Sequence, residues 1–350
     1  MMYHVRSSRS IAAGKPSRNV SRKARQQCVR PNIPLPRIIA PSERQPGGGC
    51  TSAVMNAAMA VATGLCRNAV VYRSICQGQY ERYGQFRARP TFGSFMSPFG
   101  VMSLAQMTAL TTRRHMHLYG TTRDQLAEVA ITFRRHAQRN PRAIMHGKSL
   151  DRDTYFAARM IADPFHLFDC CLETDGAAAV LITSTERAGD LRQTPVRLLA
   201  CAQASGPGWS LGPMGTHNMP IDDYATIDST AVGRLVFEQA GLTPADIDVA
   251  QIYDAFTGLI PMALEDYGFC ARGEGGPFIA AGNPGWPNGG LPANTAGGLL
   301  SEAYLHGLNL VIEGVRQMRG TSICQVADAR ICLVTSGGGG GHKSAAILGR

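Results

Sequence analysis

Ten of the chain's 39 glycines fall between residues 268 and 300, at 268, 273, 275, 276, 282, 285, 289, 290, 297 and 298. No helix or strand of ordinary length persists at that density, because glycine weakens both. What such a stretch permits is close approach of backbone to another surface, with N–H groups free to hold an anion. The apolar segments on either side must therefore pack across a loop-rich connection. Before it, residues 229–240 predict a helix ended by Gly241. A tight connection follows at 242–248 (LTPADID), then a buried strand at 249–252 that runs into Tyr253, Asp254, Ala255 and Phe256. After it, 302–318 predicts a helix, with Leu305, Leu308, Ile312 and Val315 at helical spacing. Residues 331–335 and 344–348 read as antiparallel strands joined by SGGGGGHK.

The first part of the chain carries similar units. Residues 53–64 (AVMNAAMAVATG) predict a helix stopped at Gly64, and 69–73 (AVVYR) a short buried strand. Residues 82–100 read as a long loop. Helices are expected at 103–119, closed by Gly120, at 124–140, capped by 121–122 and ended by Pro141, and at 149–162, stopped by Pro164. Residues 176–183 and 196–202 are β runs. A Gly/Pro-rich stretch at 206–220 separates two halves, each with helix–strand units and a late strand pair, as an internal duplication would give.

Charge separates a third region. Residues 1–46 hold ten basic side chains and one acid, which is +9 of the net +10. The remaining 304 residues are nearly neutral, so the basic pI is no argument for nucleic-acid binding. This Arg- and Ser-rich leader reads as a poorly ordered extension, with a transit peptide or a basic arm as alternatives; it has no apolar core of a secretory signal. Hydrophobic residues make up 44 % of the chain, enough for a large core and too many for a wholly disordered protein. No stretch approaches the ~20 apolar residues of a membrane span. The ten cysteines form no C-x-x-C pair, and neither they nor the nine histidines have metal-ligand spacing. No metal site is expected, and the cysteines read as small core residues in a reducing compartment.

The glycine run at 337–341 lies between two strands, not between strand and helix, so it is no dinucleotide fingerprint. Neither a phosphate-binding P-loop nor a G-x-S-x-G elbow occurs. What the segments 249–256 (VAQIYDAF), 268–278 (GFCARGEGGPF), 291–300 (LPANTAGGLL) and 334–348 do resemble is the thiolase superfamily, in its sterol-carrier-protein-2-type, or lipid-transfer-protein, branch. The resemblance runs from about residue 47 to 350. It implies an α/β fold in which a unit is duplicated in αβαβα layers, usually as a dimer, with acyl-CoA as ligand. The expected division is a leader at 1–46, a first half at 47–215 with a loop insertion, and a second half at 216–350. A strand–helix–strand unit that normally precedes the first helix has no counterpart in 1–46, so the first half is expected to be incomplete at its N-terminal side.

The departures from the family pattern carry the functional reading. The family's nucleophilic cysteine falls near residues 47–48, where glycines stand, and Cys50 lies a turn further in. The family's Asn motif has Tyr253, its G-H-P histidine has Tyr304, and its second cysteine has Ser336. That pattern resembles the steroid side-chain aldolases, which cleave a β-hydroxyacyl-CoA by retro-aldol chemistry and pair with a small OB-fold (DUF35-type) subunit. The resemblance implies Tyr253, Tyr304 and His306 as catalytic residues. Asn294, Gly297, Gly298, Ser336, Gly337, Gly338 and His342 are the expected substrate- and CoA-binding positions. Tyrosine can act as acid or base once its pKa of ~10 is lowered, or as a neutral donor. In this expectation Tyr253 ends a strand, Tyr304 opens a helix beside Glu302, and Asp254 caps the helix that follows it. No cofactor is expected beyond coenzyme A as part of the substrate. Two alternatives remain: an acyltransferase using Cys50, resembling acetyl-CoA acetyltransferases, and a non-catalytic acyl-CoA or lipid-binding subunit. The expected location is cytoplasmic, or an organelle matrix if the leader is a transit peptide.

Overall fold

Local chemistry sets most of the element boundaries. The computed structural model describes residues 49–76, 97–101, 103–206, 224–337 and 343–350. Helix α1 (Gly49–Ala62) buries Cys50, Thr51, Ser52 and Val54 in its first two turns. Strand β1 (Asn68–Cys76) follows, with every second residue half-buried. Helix α2 (Leu104–Tyr119) opens on a capping box between Ser103 and Gln106 and closes at Gly120, whose φ of 73° is left-handed. Helix α3 (Arg123–Arg139) opens the same way with Thr122 and Gln125, and Pro141 lies two residues past its end.

The helix expected over 149–162 is replaced by three shorter pieces. Helix α4 (Arg152–Ala157) is capped by Asp151, and the chain then turns through β2 (Met160–Ala162) into β3 (Phe165–His166). The carbonyls just past α4 are bonded by groups further along the chain. The His166 ring bonds the Ala158 carbonyl at 2.8 Å, and the Leu167 N–H bonds that of Arg159 at 2.9 Å. Strand β4 (Asp175–Thr183), helix α5 (Thr185–Ala188) and strand β5 (Arg197–Ala204) complete this part.

The second part runs through helix α6 (Thr230–Ala240), strand β6 (Val249–Gln251), helices α7 (Leu259–Asp266), α8 (Gly275–Ala280), α9 (Gly298–Ser301) and α10 (Leu308–Arg319), then strands β7 (Ile331–Ser336) and β8 (Lys343–Gly349). The antiparallel strand pair read from the sequence near the C-terminus is β7 with β8. The helix expected at 302–318 begins only at Leu308. His306 (φ 53°) and Gly307 (φ 95°) are both left-handed, and an α-helix cannot pass through two such residues.

Strands β1 and β4 form an antiparallel ribbon, with Val71 opposite Val180. Strands β5, β8, β7 and β6 form a four-stranded sheet in that order, antiparallel except for the parallel pair β6–β7. Helices α1 and α10 lie between ribbon and sheet, and α6 covers β5 and β8. Helix α10 buries Leu308, Leu310, Val311 and Ile312, each worth roughly 1.5–3 kcal/mol of transfer free energy. The outer face of the ribbon leaves Val70, Tyr72 and Leu181 exposed. Among the described residues, no helix is long and apolar enough to cross a membrane. The basic leader at 1–46, most of the loop expected at 82–100 and most of the divider at 206–220 lie outside the described residues.

Candidate active site

The irregular segment 302–307 separates α9 from α10 and carries two of the expected residues. Tyr304 does not open a helix, as the sequence reading had it. It sits in this segment, with its backbone N–H donated to the Thr174 hydroxyl at 2.9 Å. Tyr253 follows β6 and donates its N–H to the Thr335 hydroxyl at 2.9 Å. The two rings are almost fully buried, and their hydroxyls meet at 3.2 Å. A hydrogen bond of this kind between phenols lets a proton pass from one to the other. Gly307 is needed where it stands: its φ is 95°, and a Cβ would come within 3.3 Å of the Tyr253 ring.

His306 packs its ring edge-on to Tyr304, with centroids 4.9 Å apart. Its Nδ1 is bonded by the guanidinium of Arg73 on β1. Burial first, and the Arg73 charge second, push the His306 pKa down to about 3, so the imidazole is neutral at physiological pH. Cys50 also belongs to this cluster. It lies in the first turn of α1, and its Sγ donates to the His306 carbonyl at 2.9 Å. The next residue, Thr51, donates its N–H to the Ser336 Oγ at 3.3 Å, and its hydroxyl lies 2.5 Å from that of Ser344. Ser336 thus joins the site at the end of β7, followed by Gly337 with a φ of 95°. Gly338 and His342 lie outside the described residues, as do the glycines at 47–48.

Three expected binding positions make framework contacts in the fold. Asn294 is fully buried and clamps one residue: its Oδ1 accepts from the Ile252 N–H at 2.7 Å, and its Nδ2 donates to the Ile252 carbonyl at 2.8 Å. That clamp fixes the end of β6, from which Tyr253 emerges. Gly297, at φ 111°, leaves room for Ala137, whose Cβ lies 2.6 Å from where a side chain would start. Gly298, at φ 63°, leaves room for the Asp254 carboxylate. Asp254 does cap a helix, but the helix is α9, far along the chain, rather than the one that follows it. It accepts the N–H groups of Leu299 at 2.8 Å and Leu300 at 3.3 Å. Burial raises its pKa to about 7, against the pull of those N–H groups.

Glu302 is likewise no helix-start residue. It follows the last turn of α9 and lies buried among Asn140, Asn309 and Arg316. Burial raises its pKa to about 7; Arg316 acts in the opposite sense and Glu313 reinforces the rise. Lys343, at the start of β8, is 1 % exposed, and burial lowers its pKa to about 8 despite the nearby Asp228 and Asp266. Among the described residues, no group of three or more His, Cys, Asp and Glu could hold a metal ion.

Sequence reasoning missed Arg73, Thr174 and Thr335. For Arg73 a signal existed. In NAVVYRSIC, Ala69, Val71, Arg73 and Ile75 share the inward phase of β1, so the arginine is a charge on a face otherwise built for the core. Thr174 and Thr335 are visible only once the fold brings them to the two tyrosines.

Comparison with known proteins bears on this arrangement. The family described as Thiolase C-terminal domain-like matches residues 216–350. The 17-hydroxy-3-oxo-4-pregnene-20-carboxyl-CoA lyase of Mycobacterium tuberculosis is 42 % identical over 301 residues, which is 84 % of this chain and 77 % of that protein. The steroid side-chain-cleaving aldolase of Thermomonospora curvata is 40 % identical over 301 residues, 84 % of this chain and 76 % of its own. Among solved structures, the Ltp2-ChsH2(DUF35) aldolase superposes with a TM-score of 0.80 at 40 % identity, covering 87 % of this chain and 78 % of that one. A monomeric SCP2-thiolase like protein type 1 from Mycobacterium smegmatis gives a TM-score of 0.62 at 18 % identity, over 87 % of this chain and 61 % of its own, and shares the fold alone. With its mixed α/β thiolase-like fold and two relatives at 40 % identity or more, each matched over about three quarters of its length, the chain belongs to the thiolase-like family, in the sterol-carrier-protein-2-type branch that holds the steroid side-chain-cleaving aldolases.

Proposed function

We propose that this protein is an acyl-CoA lyase that cleaves a β-hydroxyacyl-CoA, on a steroid or other lipid side chain, by a retro-aldol step. The observation that carries the reading is the pair of buried phenols, 3.2 Å apart, on two segments whose backbone N–H groups are bonded to the Thr335 and Thr174 hydroxyls. A retro-aldol step needs no covalent nucleophile. A base takes the β-hydroxyl proton, and the carbon–oxygen bond becomes a carbonyl as the Cα–Cβ bond breaks. The electron pair of that bond passes to the α-carbon and is held as the thioester enolate. An acid then protonates the α-carbon. The products are a ketone and a shortened acyl-CoA, and every atom and proton is accounted for. Tyr253 and Tyr304 divide the base and acid roles, since a proton taken by one phenol can reach the other through their hydrogen bond.

The thioester oxygen requires donors fixed in advance, each worth roughly 3–4 kcal/mol in a closed site. Ser336 and Gly337 form the described edge of that subsite, and we assign Gly338 and His342 to its remainder. Coenzyme A enters as part of the substrate, and no bound cofactor is required by the chemistry. The domain division at 47–215 and 216–350, the duplication behind it and the αβαβα layering belong to the same proposal. The succession of ribbon, helix pair, sheet and helix supports it. A homodimeric state and a small DUF35-type subunit are further parts of the proposal, the latter supported by the Ltp2-ChsH2(DUF35) aldolase at 40 % identity.

Incubation of the protein with a β-hydroxyacyl-CoA, followed by mass spectrometry, should yield the ketone and the shortened acyl-CoA together. Intact substrate after prolonged incubation, with and without a DUF35-type subunit, sinks the reading. A second reading has one observation in its favour. Cys50 stands in the first turn of a helix and touches the same cluster, which is where an acyl-transfer thiol would be. Its Sγ, however, donates to a carbonyl, and the neighbouring imidazole has Nδ1 committed to Arg73. Cys50→Ala should therefore leave turnover within about threefold, as expected for a small packed thiol. Abolished turnover would restore acyl transfer.

A further inference from the structure

We propose that Arg73 is a positioning residue of this site: by holding Nδ1 of His306, it fixes the imidazole as its neutral Nε2–H tautomer and keeps that ring a hydrogen-bond donor beside Tyr304. The function of that donor rests on the lyase reading above, whereas the tautomer does not. Arginine has only N–H donors, so the atom it bonds on His306 must be an acceptor. The ring proton is then on Nε2, on the far side of the imidazole. The ring stands 4.9 Å from that of Tyr304, and its backbone carbonyl is tied to Cys50, so neither ring nor main chain is free to turn. A neutral imidazole with one fixed N–H can donate to a thioester oxygen or to a phenol without ever taking up a proton itself.

Arg73 is suited to this task by its place. It projects from β1, where its strand partner Ala178 is buried, and enters the site from the ribbon side, opposite the strand ends that carry Tyr253 and Ser336. Its Nε–H is buried and has no partner among the described residues. A buried donor of this kind is usually satisfied by a ligand atom or a water. Among the described residues, His306 is met by Arg73 from β1, Cys50 from α1 and Tyr304 from its own segment, with Tyr253 beyond Gly307. Of these, the arginine is the charge that lowers the imidazole's proton affinity, in addition to burial.

The test is nitrogen-15 and carbon-13 NMR of the wild-type chain labelled at histidine, with the His306 signals assigned by their loss in His306→Asn. Between pH 5.5 and 8.5 the His306 signals should not titrate, and their shifts should be those of the Nε2–H tautomer. In Arg73→Gln they should move towards ordinary titration, because a cation that opposed protonation is gone. Turnover should then fall roughly 10–100-fold, mainly in kcat, with a new loss of activity on the acid side. Arg73→Lys, which keeps the charge but not the fork, should recover part of both. An Nδ1–H tautomer or an ordinary titration of His306 in the wild type overturns the proposal, and so does an Arg73→Gln protein with an unchanged pH profile. The NMR readout requires no substrate, so its failure is distinguishable from failure of the lyase reading. If Arg73→Gln does not fold, the wild-type tautomer and the Arg73→Lys profile still decide.

Discussion

At the scale of single residues, the site depends on oxygens and on the absence of Cβ atoms. Tyr304→Phe deletes one hydroxyl, keeps the ring against His306, and removes the only proton the residue can exchange. Turnover should drop by about 10²–10⁴, the range for a general acid–base group, while circular dichroism stays unchanged. Tyr253→Phe should do the same, and the double variant should lose little more than either alone, since in the proposed mechanism the two hydrogen-bonded hydroxyls work as one unit. Full activity in either single variant would remove the phenol pair from the mechanism. Gly298→Ala tests the framework instead. The position has a φ of 63°, and the new Cβ would collide with the Asp254 carboxylate that caps α9. A loss of roughly 2–3 kcal/mol in denaturant unfolding is expected, combining backbone strain with a weakened cap. A variant as stable as the wild type would mean that α9 can shift without its cap.

At the scale of elements, segment 302–307 is the piece whose placement matters most, and Glu302 anchors one end of it. Its carboxylate accepts from Asn140, Asn309 and Arg316, while its backbone carbonyl accepts the Ile144 N–H at 2.9 Å. Burial raises its pKa from 4.5 to about 7. The folded state therefore holds this proton more tightly than the unfolded chain does. The resulting stability is complete below pH 4.5 and is lost as pH rises to about 7. Glu302→Gln should flatten this slope by roughly 1–3 kcal/mol, seen in urea unfolding at pH 5, 6, 7 and 8. The Asp254 carboxyl, also raised to about 7, leaves a residual slope of the same sign. An unchanged slope in Glu302→Gln would show that the group titrates normally. The same segment marks the limit of what could be read in advance. The Gly120 stop of α2 and the cap of α3 at Thr122 were legible because each acts within one turn of its helix. The start of α10 was not, because the pattern of Leu305 to Val315 is continuous and the break is accompanied by bonds to Thr174, just before β4, and to Arg73 on β1. Tyr253 and Tyr304 could be picked out from motif register, but their contact depends on the fold. Asn294 and Gly298 lay in the right motif, yet they serve the backbone of β6 and the cap of α9.

At the scale of the whole molecule, the site is a junction. Strand β1 supplies Arg73, α1 supplies Cys50 and Thr51, the ends of β6 and β7 supply Tyr253 and Ser336, and segment 302–307 closes the cluster. Every one of these elements packs against α1 or α10, so a ligand held here bridges the ribbon to the four-stranded sheet. Binding should then stabilise the fold as one unit and be visible in global unfolding. A ligand at 100 times its Kd adds about 2.7 kcal/mol, which for a chain of this size corresponds to a rise in melting temperature of roughly 3–6 °C. The shift should be larger for an acyl-CoA than for free CoA at equal concentration, because in the proposed mode of binding the acyl chain is the part that reaches the buried phenols. It should also persist in Tyr304→Phe and Tyr253→Phe, which lose a hydroxyl but keep the packed ring. Persistence of the shift together with loss of turnover would establish binding and chemistry as separate properties of the same residues' surroundings. An equal shift in all three proteins with no turnover in any of them would point to a subunit that holds acyl-CoA without acting on it. Absence of any shift in the wild type, with coenzyme A thioesters of short and long acyl chains alike, would remove the acyl-CoA reading altogether.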